Sequence, residues 1–184
     1  MMKGAFLLRL TTISPLALFT ALMIFLSACS SAPEIPPSPL AQRGGNFDTT
    51  ASITYRELSA TARITRETPR SCIVTFTSPQ SLAGITFVFW GDRVDLNYGA
   101  LSFTFDPNSV PGGAVASIAA GAINSVLSGK GLEVDYTNGV LTLSGKLESG
   151  EFLLQIDGGD GSLLTLSVPE QELEIEFLGF TFLD

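Results

Sequence analysis

The chain has 184 residues, of which 45% are hydrophobic and 15% charged, with a net charge of −8, two cysteines and no histidine. This length fits one domain, and the composition is too apolar and too weakly charged for a disordered chain. The absence of histidine excludes His-based catalytic triads and imidazole metal ligands. The acidic balance argues against nucleic acid as a partner, because surfaces that bind nucleic acid are basic.

Residues 1–28 have the layout of a secretory signal peptide. They hold no acidic residue, two basic residues (Lys3 and Arg9) and then an apolar run, Leu10–Leu26. A positive start followed by an apolar core is typical of such signals. An uncleaved membrane-spanning helix is the alternative, since the run is near the lower length limit for a span. The presence of Pro15 and of several hydroxyl residues favours the signal peptide.

The apolar run ends in Leu26-Ser27-Ala28-Cys29, which resembles the lipobox of bacterial lipoproteins, an aliphatic residue and two small ones before a cysteine. The resemblance implies that Cys29 carries a diacylglyceryl group and becomes the N-terminus after cleavage. More than one acyl chain is needed for stable anchoring, and acylation supplies two or three. We therefore expect attachment to the membrane through lipid at Cys29, on the extracytoplasmic face of the cell membrane, or on the outer membrane if the host has one.

Residues 29–46 are predicted to be the lipidated N-terminus and a tether. The segment contains four prolines and ends at Gly44-Gly45, and proline-rich stretches favour extended, semi-rigid spacers. The remaining residues, 47–184, are long enough for a single domain with its own core.

Residues 47–184 are predicted to form ten or eleven short antiparallel strands, because apolar residues alternate with polar ones and turn signals lie between the runs. Asn138-Gly139 is the strongest hairpin signal of the chain, and Gly91-Asp92 is a second two-residue turn. The pairs expected at these turns are Tyr136 with Leu141, Val134 with Leu143, Phe89 with Val94, Phe87 with Leu96 and Ile85 with Tyr98. Further strands are expected near 50–58, 58–67, 70–77, 101–106, 140–147 and 171–182.

Two irregular points are expected in the C-terminal strands. A three-residue loop, Gly159-Asp160-Gly161, would pair Ile156 with Leu164 and Leu154 with Leu166, with Gly161 in the left-handed conformation. The alternation slips at Leu178-Gly179, which predicts a β-bulge there.

Residues 113–128 are the one segment with helical spacing of apolar residues, preceded by Pro111-Gly112 and followed by Gly129. No charged residue occurs from 107 to 129, so this helix is expected to be covered on most sides. We predict a mainly β fold (α+β), a curved antiparallel sheet or half-barrel capped by this apolar helix; a β-sandwich is the alternative.

These features together resemble the LolA/LolB-like lipoprotein fold. The segment Pro79-Gln80-Ser81-Leu82-Ala83-Gly84 is similar to a Pro-x-x-Leu-x-Gly strand entry in such proteins, and Leu101-Ser102-Phe103 and Pro111 fit the same layout. The resemblance implies an unclosed β-barrel with a hydrophobic cavity for acyl chains between the sheet and its helices. No functional residue of the carriers maps onto this chain. The carrier LolA is soluble, whereas Cys29 should anchor this protein, which favours a receptor, scaffold or sensor.

The carboxylates and lysines show no catalytic or metal-binding spacing. Glu172, Glu174 and Glu176 alternate along one strand, as on a solvated face. The Asp157–Gly161 loop lacks the spacing of a calcium loop. Lys130 and Lys146 lack the Ser-x-x-Lys spacing. We therefore expect no enzyme activity, no catalytic residue, no metal and no cofactor.

Cys72 and Trp90 each allow two interpretations. Cys72 alternates with Val74 and Phe76, as expected of a buried small apolar residue; a reactive thiol is the alternative. Trp90 either lines a pocket or stacks with Arg93 at the surface.

Charge is distributed unevenly along the chain. After residue 28 the chain keeps eight of its ten basic residues and all 18 acidic ones, a net charge of −10. Most arginines precede residue 71, and most carboxylates follow residue 130. We hypothesise complementary patches, either within the fold or with a partner; dispersed charge that aids solubility is the alternative.

Two functions follow from this sequence. The first is a non-catalytic lipoprotein that holds a lipid, acyl chain or other hydrophobic ligand in the concave face of the half-barrel. The second is an accessory lipoprotein that contacts another envelope protein and holds no ligand. A cavity of several hundred Å³ would favour the first, whereas a helix packed flush on the sheet would favour the second.

Overall fold

The computed structural model describes residues 38–68, 71–90, 92–106, 109 and 115–184, which belong to one compact unit, Ile35–Asp184. The predicted signal peptide, the lipobox and Cys29 lie outside the described residues. The helices are α1 (Pro39–Gln42) and α2 (Val115–Ser128), and a 3-10 turn covers Pro169–Gln171. The strands are β1 (Phe47–Tyr55), β2 (Leu58–Thr68), β3 (Ser71–Ser78), β4 (Thr86–Phe89), β5 (Val94–Tyr98), β6 (Leu101–Phe105), β7 (Glu133–Thr137), β8 (Val140–Leu147), β9 (Gly150–Asp157), β10 (Leu163–Val168) and β11 (Leu173–Phe182).

All eleven strands belong to one antiparallel sheet. Their order is β6-β5-β4-β3-β2-β1-β11-β10-β9-β8-β7, so strands that follow each other in sequence pair, except β6 and β7, and β1 pairs with β11 in the middle. The edges β6 and β7 are not paired with each other, which leaves the curved sheet open. The predicted half-barrel with an apolar helix is confirmed, and the β-sandwich is wrong.

Turn chemistry predicted two hairpins correctly. Tyr136 lies opposite Leu141 and Val134 opposite Leu143, and Asn138 and Gly139 have φ values of 53° and 84°, as a type I′ turn requires. The pairs Phe89 with Val94 and Phe87 with Leu96 are also present. Ile85 precedes β4, so its expected pairing with Tyr98 lies outside the paired strands.

The β9–β10 hairpin corrects one predicted pairing. Leu154 lies opposite Leu166 as expected, but Ile156 lies opposite Leu163 rather than Leu164. The reason is an irregularity between Leu163 and Thr165, which directs Leu163 and Leu166 into the core. Gly161 is left-handed, with a φ of 85°, as predicted.

The expected bulge in β11 is present. Asp48 lies opposite Thr181 and Thr50 opposite Leu178, so the register shifts at the buried Thr49 between them. The Thr49 hydroxyl donates to the Leu178 carbonyl oxygen at 3.1 Å, which satisfies a backbone group that the bulge removes from the ladder.

The C-terminal part of the predicted tether belongs to the folded domain. Residues Pro39–Gln42 form helix α1, whose first turn is capped by Ser38 Oγ accepting from the Ala41 N–H at 3.2 Å. Leu40 is fully buried in the core. The backbone of α1 passes so close to Gly161 that a Cβ there would lie 2.9 Å from Leu40 N. The extended tether predicted for 29–46 is therefore wrong from residue 38 onward, because Leu40 anchors this segment.

Helix α2 packs flush on the concave side of the sheet. Ile118, Ala119, Ala122 and Ile123 are buried and join the main core. Alanine and glycine permit this close approach, since Gly121 lies directly under Leu147 of β8, where a Cβ would be 3.4 Å from its Cδ2. The predicted coverage of the helix on most sides is confirmed over the described residues 115–128.

Candidate functional site

The face of the sheet that forms the core continues outward to β6. Val74 of β3 lies opposite Phe87, which lies opposite Leu96, which lies opposite Phe103. Residues directly opposite each other in a ladder share a face. A second row runs in the same way from Cys72 to Phe105. The side chains of β5 and β6 in these rows therefore point to the concave side, like the core residues.

Most side chains at the outer end of these rows are exposed, whereas Val94 of β5 is buried. We call the open strip the concave-facing side chains of Leu96, Tyr98, Leu101, Phe103 and Phe105. Tyr98 is 53% exposed, Leu101 57%, Phe103 50% and Phe105 37%. Phe152, which faces the same side from β9, is 0% exposed. A contiguous group of exposed apolar side chains is typical of a binding surface, and the open strip is our candidate functional site.

Aromatic rings pair both within the open strip and within the neighbouring part of the core. Phe103 and Phe105 stack with ring centroids 6.4 Å apart, and Phe87 and Phe89 stack at 6.2 Å. Phe87 in turn meets Phe76 edge to face at 6.4 Å. Leu96 of β5 lies between Phe87 and Phe103, so apolar side chains continue from the core to the free edge.

A polar cluster on the convex face holds the same strands together. Asp95 accepts hydrogen bonds from Thr104 Oγ1 at 2.8 Å and from Trp90 Nε1 at 2.8 Å. The hydrogen bond from Thr104, together with those from Trp90 and Arg93 and the charge of Arg93, lowers the pKa of Asp95. The Arg93 guanidinium lies 5.1 Å from the Trp90 ring centroid. The surface interpretation of Trp90 is therefore confirmed, and Trp90 does not line the open strip.

The opposite edge, β7, also exposes apolar residues but carries charges. Tyr136 and Val134 are exposed on its concave side, whereas Glu133 and Asp135 occupy the alternate positions. A polar groove of about 460 Å³ lies beside this edge, lined by Glu133, Lys146, Glu151 and Glu170 among others.

A buried arginine is the feature that sequence reasoning missed. Arg66 is only 4% exposed, and its Nη1 donates to the Gly45 carbonyl oxygen at 2.9 Å. It borders a groove of about 360 Å³ between α1 and the last turn of α2, and burial lowers its pKa. The available signal was its position, because Arg66 continues the inward series Ala62 and Ile64 on β2.

Cys72 and the acidic loop behave as structural residues. Burial raises the pKa of the Cys72 thiol to about 12, so it stays protonated, and the predicted buried position is confirmed. The Asp157 side chain accepts from the Gly159 and Asp160 N–H groups, at 2.8 and 3.0 Å. Within the described ranges, no three cysteine or acidic side chains form a group that could hold a metal ion.

The charged residues of β11 do not pair within the described fold. Glu174 and Glu176 lie opposite Thr54 and Ser52 of β1. In the described part of the chain, ion pairs join Arg63 to Asp48 and Arg93 to Asp92 and Asp95. The hypothesis of complementary charged patches therefore remains a prediction for contact with a partner protein.

No helix of the described residues is long and apolar enough to cross a membrane.

Comparisons with known proteins bear on the fold alone. No family model matches the sequence, and no curated protein matches it. An uncharacterized conserved protein from Thermus thermophilus superposes with a TM-score of 0.51 at 14% identity, over 79% of this chain and 84% of that one. At this identity the likeness shows a shared fold. A LolA superfamily protein from Nitrosomonas europaea gives a TM-score of 0.43 at 13% identity, over 82% and 88% of the two chains. The structure of the CwlD amidase from Clostridioides difficile in complex with the GerS lipoprotein gives 0.43 at 11%, over 88% and 89%.

Proposed function

We propose that this chain is a bacterial extracytoplasmic lipoprotein that binds a lipid or other hydrophobic ligand along the open strip, without catalysing a reaction. The observation that carries the proposal is the exposure of Tyr98, Leu101, Phe103 and Phe105, four large side chains on the face that forms the core elsewhere. Covering such side chains gains about 25 cal/mol per Å² of apolar area removed from water.

The packing of α2 supports a ligand position at the margin of the sheet. Ile118, Ala122 and Ile123 are buried in the core on the concave side, so we propose that the ligand lies along β5 and β6 rather than beneath the helix. The strand β6 contains no charged residue from Leu101 to Phe105. An acyl chain therefore meets apolar side chains and no charge that binding would have to desolvate.

The proposed anchor is the lipid at Cys29, supported by the lipobox Leu26-Ser27-Ala28-Cys29. Because Ser38 and helix α1 belong to the folded domain, the proposed tether covers at most residues 29–37. At about 3.1 Å per residue in an extended conformation, it would span roughly 30 Å. The tether would then hold the domain within a few tens of Å of the membrane surface.

Titration with a fluorescent fatty acid tests the proposed ligand site. The 184-residue chain should bind the probe, and Phe103→Asp should weaken binding at least tenfold, because the probe would bury a carboxylate. The matched control is Asn97→Asp, which adds a charge on the convex face of the neighbouring strand and should change binding less than twofold. Equal loss in both variants, or no binding by the parent chain, would contradict the proposal.

Metabolic labelling with palmitate tests the anchor separately. Label should enter both the parent chain and the Cys72→Ser variant, because the buried Cys72 is not the proposed attachment site. The Cys29→Ser variant should lose both the label and the membrane association. Label retained in Cys29→Ser would show that the lipobox interpretation is wrong.

A second candidate function is an accessory lipoprotein that acts through protein contacts. The flush packing of α2 favours it, because the protein's own side chains fill the middle of the half-barrel. In that case, the purified chain would carry no non-covalently bound lipid and would leave the fluorescent fatty acid unbound.

A further inference from the structure

We infer that β6 pairs antiparallel with β6 of a second copy of this chain, with Phe103 on the two-fold axis. The inference goes beyond the proposed function and requires neither the anchor nor a ligand. It starts from the position of β6, which is an edge of the sheet and pairs with β5 alone among the described strands. An unpaired edge strand is a template for another strand unless charge, proline or a cover protects it.

The backbone of β6 offers a defined set of hydrogen-bonding groups. Tyr98 and Leu101 flank the two-residue turn Gly99-Ala100, and the residues that flank such a turn form a hydrogen-bonded pair. Every second pair along the ladder is hydrogen-bonded in the same way, so the N–H and C=O groups of Phe103 point toward β5. The N–H and C=O groups of Ser102 and Thr104 therefore point away from the sheet.

The outward-pointing groups of two β6 strands can pair with each other when the strands run antiparallel and are centred on Phe103. In an antiparallel pair centred on Phe103, Ser102 lies opposite Thr104 of the second copy, and Leu101 lies opposite Phe105. Both Ser102–Thr104 pairs use the outward groups and make four backbone hydrogen bonds. Apolar side chains meet on the concave face and hydroxyl side chains on the convex face, so the pairing joins the two open strips into one surface.

The charge distribution favours pairing through β6 over pairing through β7. The corresponding pairing of β7 would be centred on Asp135 and would place two carboxylates directly opposite each other, which is destabilising. No charged residue lies on β6. Residues 38–106 contain six basic and six acidic residues, whereas residues 107–184 contain two basic and eleven acidic ones. Pairing through β6 joins the neutral halves and keeps the acidic halves apart.

Cysteine pairing tests the register. In the double variant Ser102→Cys/Thr104→Cys, each new thiol lies opposite one of the second copy, at a Cα separation of about 5.5 Å that suits a disulfide. We expect oxidation of the 184-residue chain to give a disulfide-linked dimer on a non-reducing gel. The single variant Ser102→Cys should run as one copy on the same gel, because its thiols are offset by two positions and cannot form the disulfide. A double variant that forms no disulfide-linked dimer would overturn the inference.

The mass of the chain in mild detergent, measured by native mass spectrometry, is the second test. The parent chain should have the mass of two copies, Phe103→Asp that of one copy, and Tyr136→Asp, a control on the other edge, that of two. A parent chain with the mass of one copy would overturn the inference. If that single copy carried a lipid, the proposed function would stand without the dimer; a dimer that binds no fatty acid would give the reverse result.

Discussion

The two edges of the sheet are built alike but treated differently. In both β6 and β7 all five residues are exposed, and both edges present apolar side chains on the concave side. Strand β7 alternates these with Glu133 and Asp135, whereas β6 alternates them with Ser102 and Thr104. Charges on an edge strand prevent pairing with other chains. The comparison indicates that one edge is protected and that the other is available for contact.

The largest expected effect comes from comparing two phenylalanines that face the same side. Phe152→Ala should lower the free energy of unfolding by about 3–5 kcal/mol, the usual range for a buried phenylalanine. Phe103→Ala should lower it by less than about 1 kcal/mol, because half of that side chain is already exposed. Urea unfolding of both variants measures the difference. Equal losses would show that β6 is covered and that the open strip does not exist.

A smaller effect is expected from adding a methyl group at two glycines on the covered side. At Gly145 a Cβ would lie 2.8 Å from the Phe152 ring, so Gly145→Ala should destabilise the fold by about 1–3 kcal/mol through overpacking. At Gly121 of α2 the nearest side-chain atom is 3.4 Å away. Gly121→Ala should therefore stabilise the helix by up to about 1 kcal/mol. We expect the thermal midpoint to fall in Gly145→Ala and to rise in Gly121→Ala. A lower thermal midpoint in Gly121→Ala would contradict the packing of α2.

The smallest expected effect is a pH dependence at Asp48 in the middle of the sheet. Its hydrogen bond from Arg63 Nε, at 2.8 Å, together with that from Thr65, lowers the pKa of Asp48 below its ordinary value of 3.8. A lowered pKa in the folded state adds stability above the ordinary value, and this stability is lost as the pH falls through the folded pKa. Asp48→Asn should therefore lose less stability than the parent chain between pH 5 and pH 2.5, measured by thermal unfolding. A steeper loss of stability in Asp48→Asn than in the parent chain would contradict the lowered pKa of Asp48.

Local patterns predicted most of the sheet, and they failed where distant contacts decide. Alternation and turn residues are local, so the Asn138-Gly139 hairpin was predictable residue by residue. Composition alone was misleading for Pro39–Gln42, because the proline content conceals Leu40, which the core captures. The side chain of Leu164 was assigned inward because the irregularity before Thr165 has no local signal.

The candidate site was beyond prediction for the same physical reason. Phe103 and Phe152 occur in similar alternating segments, yet one is half exposed and the other fully buried. The difference arises from the position of each strand in the sheet and from the position of α2. The alternation of apolar and polar residues along a strand predicts neither. Arg66 was likewise hidden, because an inward position is usually filled by an apolar residue.

Photoaffinity labelling with a diazirine fatty acid tests the central claim most directly, since it reports where the ligand lies on the 184-residue chain. After irradiation and digestion, mass spectrometry should find the label on peptides that contain Tyr98 to Phe105, with free fatty acid suppressing it. Label concentrated on α2 and its buried contacts, or the absence of any suppressible label, would contradict the account.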